Sequence, residues 1–181
     1  MKLNLGAGSD ILAGYVNHDL AKLPGIDVVH DLNQYPWPWP DASIEEVKAW
    51  DVIEHLDDFI KAIEEISRVL VPGGCCHVSV PYWNSWCVPA DPTHKRGFHE
   101  TTFQFFDPDS PYCRTRPYYS TARFKIVSEE FVLAPFGPYY YLPGVGEVTI
   151  RRVWARKIVG LIGNYFIGNL IHALRVVIQK P

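Results

Sequence analysis

The run Leu3-Asn4-Leu5-Gly6-Ala7-Gly8-Ser9-Asp10 breaks an apolar stretch with Gly-x-Gly, and an acidic residue, Asp19, follows shortly after. Glycines let a backbone turn sharply and approach a ligand with no Cβ in the way. An acidic residue ending the next strand can accept hydrogen bonds from ribose hydroxyls. Together they read as a nucleotide site. Two further groups carry chemistry. Asp31-Leu32 and Trp50-Asp51-Val52-Ile53-Glu54-His55-Leu56 put acidic residues and an imidazole after apolar runs, and Asp91-Pro92-Thr93-His94-Lys95-Arg96-Gly97-Phe98-His99 places two histidines in a proline-rich stretch. A histidine within hydrogen-bond reach of a hydroxyl or amine can take its proton, so His55, His94 and His99 are the candidate general bases. His55 also sits where a strand opens into a helix, a position that suits local hydrogen bonding or shaping of a cofactor site.

The elements that must position these residues are strands over Lys2-Leu5, Tyr15-His18, Asp27-His30, Glu46-Ala49, Cys75-Val80, Phe124-Leu133 and Ala173-Gln179. Several are nearly continuous in Val, Ile and Leu, which predicts a largely parallel sheet buried on both faces. Phe59, Ile60, Ile63, Ile66, Val69 and Leu70 recur at helical spacing, predicting a helix over about 57–70 with Glu64, Glu65 and Arg68 facing out and Pro72-Gly73-Gly74 ending it. Few residues separate the first three strands, although a parallel crossover normally takes a dozen or more. The first helices are therefore expected to shrink to turns, with a mixed pairing as the alternative. Residues 81–117 are rich in Pro, His and aromatic residues, with one short helix expected at 101–106, and form the expected substrate-facing loop. Residues 149–171 place Ile150, Trp154, Ile158, Leu161, Ile162 and Tyr165 along one helical face, with Arg151, Arg152, Arg156 and Lys157 near the start. This helix and the last strand, 149–180, are expected to close a single domain over 1–181.

Composition narrows the function classes. A net charge of -3 supplies no basic field for non-specific nucleic-acid binding. The four cysteines show neither Cys-x-x-Cys nor the density of a disulfide scaffold, and the spacing of Cys87, His94 and His99 matches no familiar zinc site, so no metal is expected. Cys75 and Cys76 read as strand packing residues. The amino terminus lacks a long apolar core of the signal-peptide kind, which with the cysteine usage predicts a cytoplasmic protein. The apolar run in 149–171 is too short for a confident span. Packing on the sheet or a homodimer contact is the expected role of that segment, with a membrane surface the alternative.

The glycine turn, Asp19 after the second strand, Asp31-Leu32 after the third and Trp50 to Leu56 after the fourth all fall at carboxyl ends of strands, the edge where open α/β sheets bind ligands. In this the chain resembles the class I S-adenosylmethionine-dependent methyltransferases over about 2–82. Gly14-Tyr15-Val16-Asn17-His18-Asp19, Trp37-Pro38-Trp39-Pro40-Asp41-Ala42-Ser43, Glu54-His55-Leu56 and Arg68-Val69-Leu70-Val71-Pro72-Gly73-Gly74 carry the resemblance. It implies an α/β, Rossmann-like, mostly parallel seven-stranded sheet with abbreviated amino-terminal helices. It implies S-adenosylmethionine as cofactor, with Leu5, Gly6, Ala7 and Gly8 near its methionine part, Asp19 and Leu20 at the ribose, Asp31 and Leu32 at the adenine, and Trp50, Asp51 and His55 completing the pocket. The acceptor loop implied is Asp91 to His99, and the methyl acceptor is unidentified: a small molecule, a sugar or glycan, or a protein. The family's usual helix ahead of the first strand has no counterpart in this sequence, so one wall of the pocket is expected to be open or supplied elsewhere. Two alternatives stay open. One is a non-catalytic nucleotide-binding module that assembles with a partner. The other is a dinucleotide oxidoreductase, which would want a third glycine where Ile11 stands and a later acidic residue than Asp19.

Overall fold

The computed structural model describes residues 1–133 and 147–181; the Tyr139–Tyr141 aromatic cluster noted in the sequence lies outside them. Strands β1 (Lys2–Leu5), β2 (Val16–Asp19), β3 (Val28–Val29), β4 (Ile44–Trp50) and β5 (Leu70–Pro81) lie in the order β3-β2-β1-β4-β5, all parallel. Beyond β5 the pairing reverses. Strand β8 (Ile171–Gln179) runs antiparallel to β5, β6 (Lys125–Leu133) antiparallel to β8, and β7 (Val148–Ile150) antiparallel to β6. The described sheet is thus eight-stranded and mixed, which corrects the expected seven-stranded, mostly parallel one. The added strand is β7: the start of the basic segment, expected to be helical, pairs with β6 instead.

The amino-terminal connections are turns, and the pairing there is parallel, not mixed. The four-residue strands make this feasible. Each is only about 13 Å long, so the connection over 6–15 has chain to spare for the return. Two buried asparagines supply the hydrogen bonds a helix would have made internally. Asn4 Nδ2 donates to the Asp10 carbonyl and to Asn17 Oδ1, and Asn17 Oδ1 accepts the Leu12 amide while its Nδ2 donates to the Leu12 carbonyl.

Helix α1 (Phe59–Val69) begins at Asp58, whose carboxylate caps the Lys61 amide, and buries Phe59, Ala62, Ile63, Ile66 and Val69 against Leu3, Val47, Cys76 and Val78. Two expectations fail here. The helix yields to extended chain at Leu70, and Pro72-Gly73-Gly74 forms an excursion inside β5, between the pairs Ile44 with Leu70 and Glu46 with Cys75. Glu65 and Arg68 do not face out. Arg68 donates to the Trp37 and Trp39 carbonyls, to Asp41 and to both oxygens of Glu65, and Glu65 accepts the Trp37 amide. The Trp-Pro-Trp-Pro turn exposes backbone groups that need partners, and the charged pair satisfies them.

Helix α4 (Val153–Tyr165) also departs from expectation. It approaches the sheet through Gly160, beside Phe131 and Glu100, and Gly163, beside Ile171. Large side chains have no room there. Trp154, Ile158, Leu161 and Tyr165 therefore face away from the protein, Trp154 at 62% and Tyr165 at 77% exposure, so the helix meets the sheet through its glycines and not through this stripe; of the two expected roles, packing on the sheet or a homodimer contact, the stripe itself does not take the first. Short helices α2 (Cys87–Ala90) and α3 (Pro111–Thr115) and a 3-10 turn at Phe103–Phe105, in place of the expected helix over 101–106, punctuate the loop region. No helix among the described residues is long and apolar enough to cross a membrane.

Candidate functional site

At the carboxyl edge of the parallel strands, β1 ends in Leu5, buried in the core, and turns at Gly6 and Gly8, both in the left-handed region. A Cβ on Gly6 would stand 2.3 Å from Val52 Cγ2, so this turn and the segment after β4 touch where only glycine fits. A Cβ on Gly8 would meet nothing within 4 Å. The space beside Gly8 is open. The Ala7 amide donates to the His18 carbonyl, and Asp19 holds the turn to the end of β2: its Oδ2 accepts the Gly8 amide at 2.8 Å and its Oδ1 the Ala21 amide at 2.9 Å. Each carboxylate oxygen keeps a second lone-pair direction for a ligand. Beside it Leu20 is 68% exposed, a bare apolar side chain at the same rim.

Asp31 caps the Asn33 amide, and the Leu32 side chain lies in the core with its carbonyl taken by Trp37 Nε1, so what Leu32 can offer a ligand is its backbone. Trp50 ends β4 with its ring between two cations, Lys48 Nζ at 4.3 Å and the Arg175 guanidinium at 5.2 Å. Lys48 also pairs with Asp10, tying Trp50 to the glycine turn. Asp51 follows with φ +53, uncommon outside glycine, and redirects the chain into a 3-10 turn over Ile53–His55. Burial pushes its carboxyl up, against the opposing pull of His172 and Arg175.

The turn after β4 and the loop after β5 are laced together. The Lys95 amide donates to the Glu54 carbonyl, Arg96 Nη2 to the Leu56 and Asp57 carbonyls, and the Phe98 amide to Pro81. Lys95 Nζ pairs with Asp57. This lacing sets His94 against His55, ring centroids 4.7 Å apart. Glu54 sits beneath them at 0% exposure, His94 Nε2 lies 3.9 Å from its Oε1, and neither Glu54 oxygen has a hydrogen-bond partner among the described residues. Desolvation raises its pKa to about 8. The neighbours of His55 set which ring nitrogen donates to them. Thr93 spends its hydroxyl proton on Asp91 Oδ1 at 2.6 Å, so His55 Nδ1, 2.9 Å from the same hydroxyl oxygen, must be a donor, and in the neutral imidazole the free lone pair is on Nε2.

His99 is not part of this group. The Thr101 amide donates to its Nδ1, so Nε2 carries the proton and faces Glu100 Oε2 at 3.2 Å. Glu100 accepts the Tyr82 hydroxyl, and Asn164 of α4 accepts Trp83 Nε1 beside it. His99 belongs to the contacts that seat α4. Of the three candidate histidines the structure brings His55 and His94 together and sets His99 apart, and it adds Glu54, to which sequence reasoning assigned no chemical role. The missed signal was an acidic residue inside an otherwise apolar turn, Val52-Ile53-Glu54.

Comparisons with known proteins agree with this edge. Residues 8–78 match the family model described as a methyltransferase domain. A protein of Mycolicibacterium smegmatis, named a probable S-adenosylmethionine-dependent methyltransferase, is 38% identical over 93 residues, covering 49% of this chain and 36% of that protein. The matched stretch thus spans about a third of that relative's length. A solved methyltransferase of Thermotoga maritima, described as a possible histamine N-methyltransferase, superposes with a TM-score of 0.65 at 14% identity over 99% of this chain and 82% of that one. One from Archaeoglobus fulgidus gives 0.61 at 18%, over 99% and 85%. At these identities the likeness to solved structures shows the fold.

Proposed function

We propose, for a chain whose residues 8–78 are a methyltransferase-domain segment and whose described fold is that of S-adenosylmethionine-dependent methyltransferases, that it moves a methyl group from that cofactor to an acceptor held by residues 81–117. The observation that carries this reading is the Asp19 carboxylate bonded to the Gly8 amide beside open space, in a turn whose Gly6 packs against Val52 at the start of the segment that bears Glu54 and His55.

S-adenosylmethionine, when bound, supplies an electrophilic methyl group. The residues present fit it: Gly6, Ala7 and Gly8 offer close backbone approach, Asp19 has lone pairs for two hydroxyls, the bare Leu20 side chain offers apolar contact, and Asp31 with the Leu32 backbone can face a base edge. Asp51 stands at the end of β4 where the chain turns, beside the rest of this edge. On the acceptor side the neutral imidazole of His55 presents its Nε2, and His94 stands against it. Either can take a proton from a hydroxyl or amine as it becomes a nucleophile. His99, with its proton held toward Glu100, serves as a positioning residue for α4. Much of the remaining work is alignment and exclusion of water.

Calorimetric titration with S-adenosylmethionine and S-adenosylhomocysteine tests the reading. Both ligands should bind, and Asp19→Ala should weaken them by roughly tenfold to a hundredfold, the loss of one or two hydrogen bonds to a charged group at about 1.5 kcal/mol each or more. Absence of binding to the native chain sinks the cofactor assignment. Unchanged binding by the variant sinks the ribose role of Asp19. For the exposed face of α4 we favour a lipid surface over a second copy of the chain, because Arg152 and Lys157 flank the outward Trp154, Ile158 and Leu161, while Arg151 is held by Glu130.

A further inference from the structure

We propose that Glu54, His55 and His94 bind a divalent transition-metal ion. Their donor atoms lie within 4.8 Å of one another, although His55 and His94 come from different loops and no ligand spacing in the sequence announces them. Donors about 2.1 Å from an ion stand about 3.0 to 3.5 Å apart, so each need move inward by less than about 1 Å.

Three features of the group suit a cation. A buried carboxylate is expensive unless something answers its charge, and Glu54 has two oxygens without partners and no exposure. Asp51 and Asp91 add further negative charge nearby, with Asp91 Oδ2 3.9 Å from His94 Nε2. His55 is already arranged as a ligand: Nδ1 donates to Thr93, which donates to Asp91, and Nε2 is left with its lone pair. An imidazole whose far nitrogen is anchored through a hydrogen bond to a hydroxyl or carboxylate is the usual outer support of a metal-binding histidine. Two imidazoles and one carboxylate suit zinc, iron(II) or manganese(II) better than magnesium or calcium, which prefer all-oxygen sets. Three protein ligands also leave coordination positions open. Resting on the methyltransferase reading, those positions face the acceptor side and would take an oxygen of a hydroxyl-bearing acceptor, lowering its pKa before methylation; with the ion bound, the imidazole lone pairs serve as ligands and the acceptor's proton passes to solvent instead of to His55 or His94.

The full chain, stripped with a chelator and desalted, should take up one equivalent of Zn2+ or Mn2+ in calorimetry, and Co2+ should develop visible absorption bands of a nitrogen- and oxygen-ligated site. His94→Ala should lower affinity more than a hundredfold. Thr93→Val, which removes only the support of His55, should lower it tenfold to a hundredfold with no loss of thermal stability. Should Glu54→Gln fail to fold, these two variants carry the test alone. No saturable uptake of any of the three ions overturns the proposal, as does uptake that His94→Ala leaves unchanged. Titration with S-adenosylmethionine on the same preparation separates the two readings: ion uptake without cofactor binding sinks the methyltransferase reading and keeps the ion, and the reverse sinks the ion alone.

Discussion

Gly6→Ala is a sharp test of how the glycine turn is built. The new methyl would begin 2.3 Å from Val52 Cγ2, at a backbone φ of +58. Val52 is β-branched and buried, so it cannot swing clear without leaving its rotamer or moving the backbone. The left-handed conformation costs a non-glycine residue about 1 to 2 kcal/mol, and overpacking adds about 1 to 3 kcal/mol. The expected loss is thus about 2 to 5 kcal/mol, or a fall in Tm of roughly 4 to 20 °C for a domain of this size. Gly8→Ala shares the backbone cost and escapes the clash, since nothing lies within 4 Å, so it should lose only about 1 to 2 kcal/mol. Urea unfolding of the two variants, of Val52→Ala and of Gly6→Ala/Val52→Ala measures the difference. Val52→Ala opens a cavity alone yet relieves the clash in the Gly6→Ala background, so the double variant should be more stable than the two losses summed by about 1 to 3 kcal/mol. Strict additivity, or a Gly6→Ala variant no weaker than Gly8→Ala, would refute the contact.

Arg68→Ala should cost about 2 to 4 kcal/mol in urea unfolding, because it strands Glu65 and two tryptophan carbonyls at once. Burial alone would raise the Glu65 carboxyl, but the Arg68 hydrogen bonds and the Trp37 amide outweigh it and hold the group below its ordinary 4.5. Its share of stability is therefore present above pH 4.5 and is lost as pH falls through the depressed folded value, so Glu65→Gln should flatten the acid limb of a stability-against-pH curve; a limb as steep as the native one would contradict the sign. Trp154→Asp should abolish co-sedimentation of the full chain with phosphatidylserine-containing vesicles while changing stability by less than about 0.5 kcal/mol. A native chain that stays in the supernatant defeats the lipid assignment, and a concentration-dependent dimer lost in the same variant would assign the face to a second copy.

The parts of this molecule legible in its sequence are those where one local physical demand dominates. Apolar runs marked the strands, although only one face of β4, β5 and β8 is fully covered: Glu46, Lys48, Trp50, His77 and Arg175 line the other and stay partly exposed, against the expected burial on both faces. Glycine beside an acidic residue marked the turn because few other residues can make it. What escaped depends on partners far along the chain. Asn4 and Asn17 look like ordinary polar residues, yet their side chains replace a helix between β1 and β2. Glu65 and Arg68 have the spacing of an exposed pair and are drawn in by tryptophan backbone groups from another segment. The α4 stripe has perfect amphipathic periodicity with the wrong sense, because periodicity says that one face is apolar and not which face is covered; Gly160 and Gly163 decided that.

The proposed cofactor half and the proposed acceptor half of the site meet in one short segment, Asp51 to Leu56. Val52 touches the glycine turn, where no side chain fits between, and two residues later the Glu54 carbonyl holds the acceptor loop through the Lys95 amide. Leu56 and Asp57 hold the same loop through Arg96. A shift of this segment must therefore move both halves together. Closely packed contacts of this kind transmit displacement with little give. The left-handed turn at Asp51 sets where the segment leaves β4, and its amide is fixed to the Ser79 carbonyl of β5. On the proposed function, the relative placement of methyl donor and acceptor is thereby tied to the pairing of β4 with β5. On that reading the scaffold sets the distance over which a methyl group would pass, and the proposed acceptor loop beyond it selects what accepts.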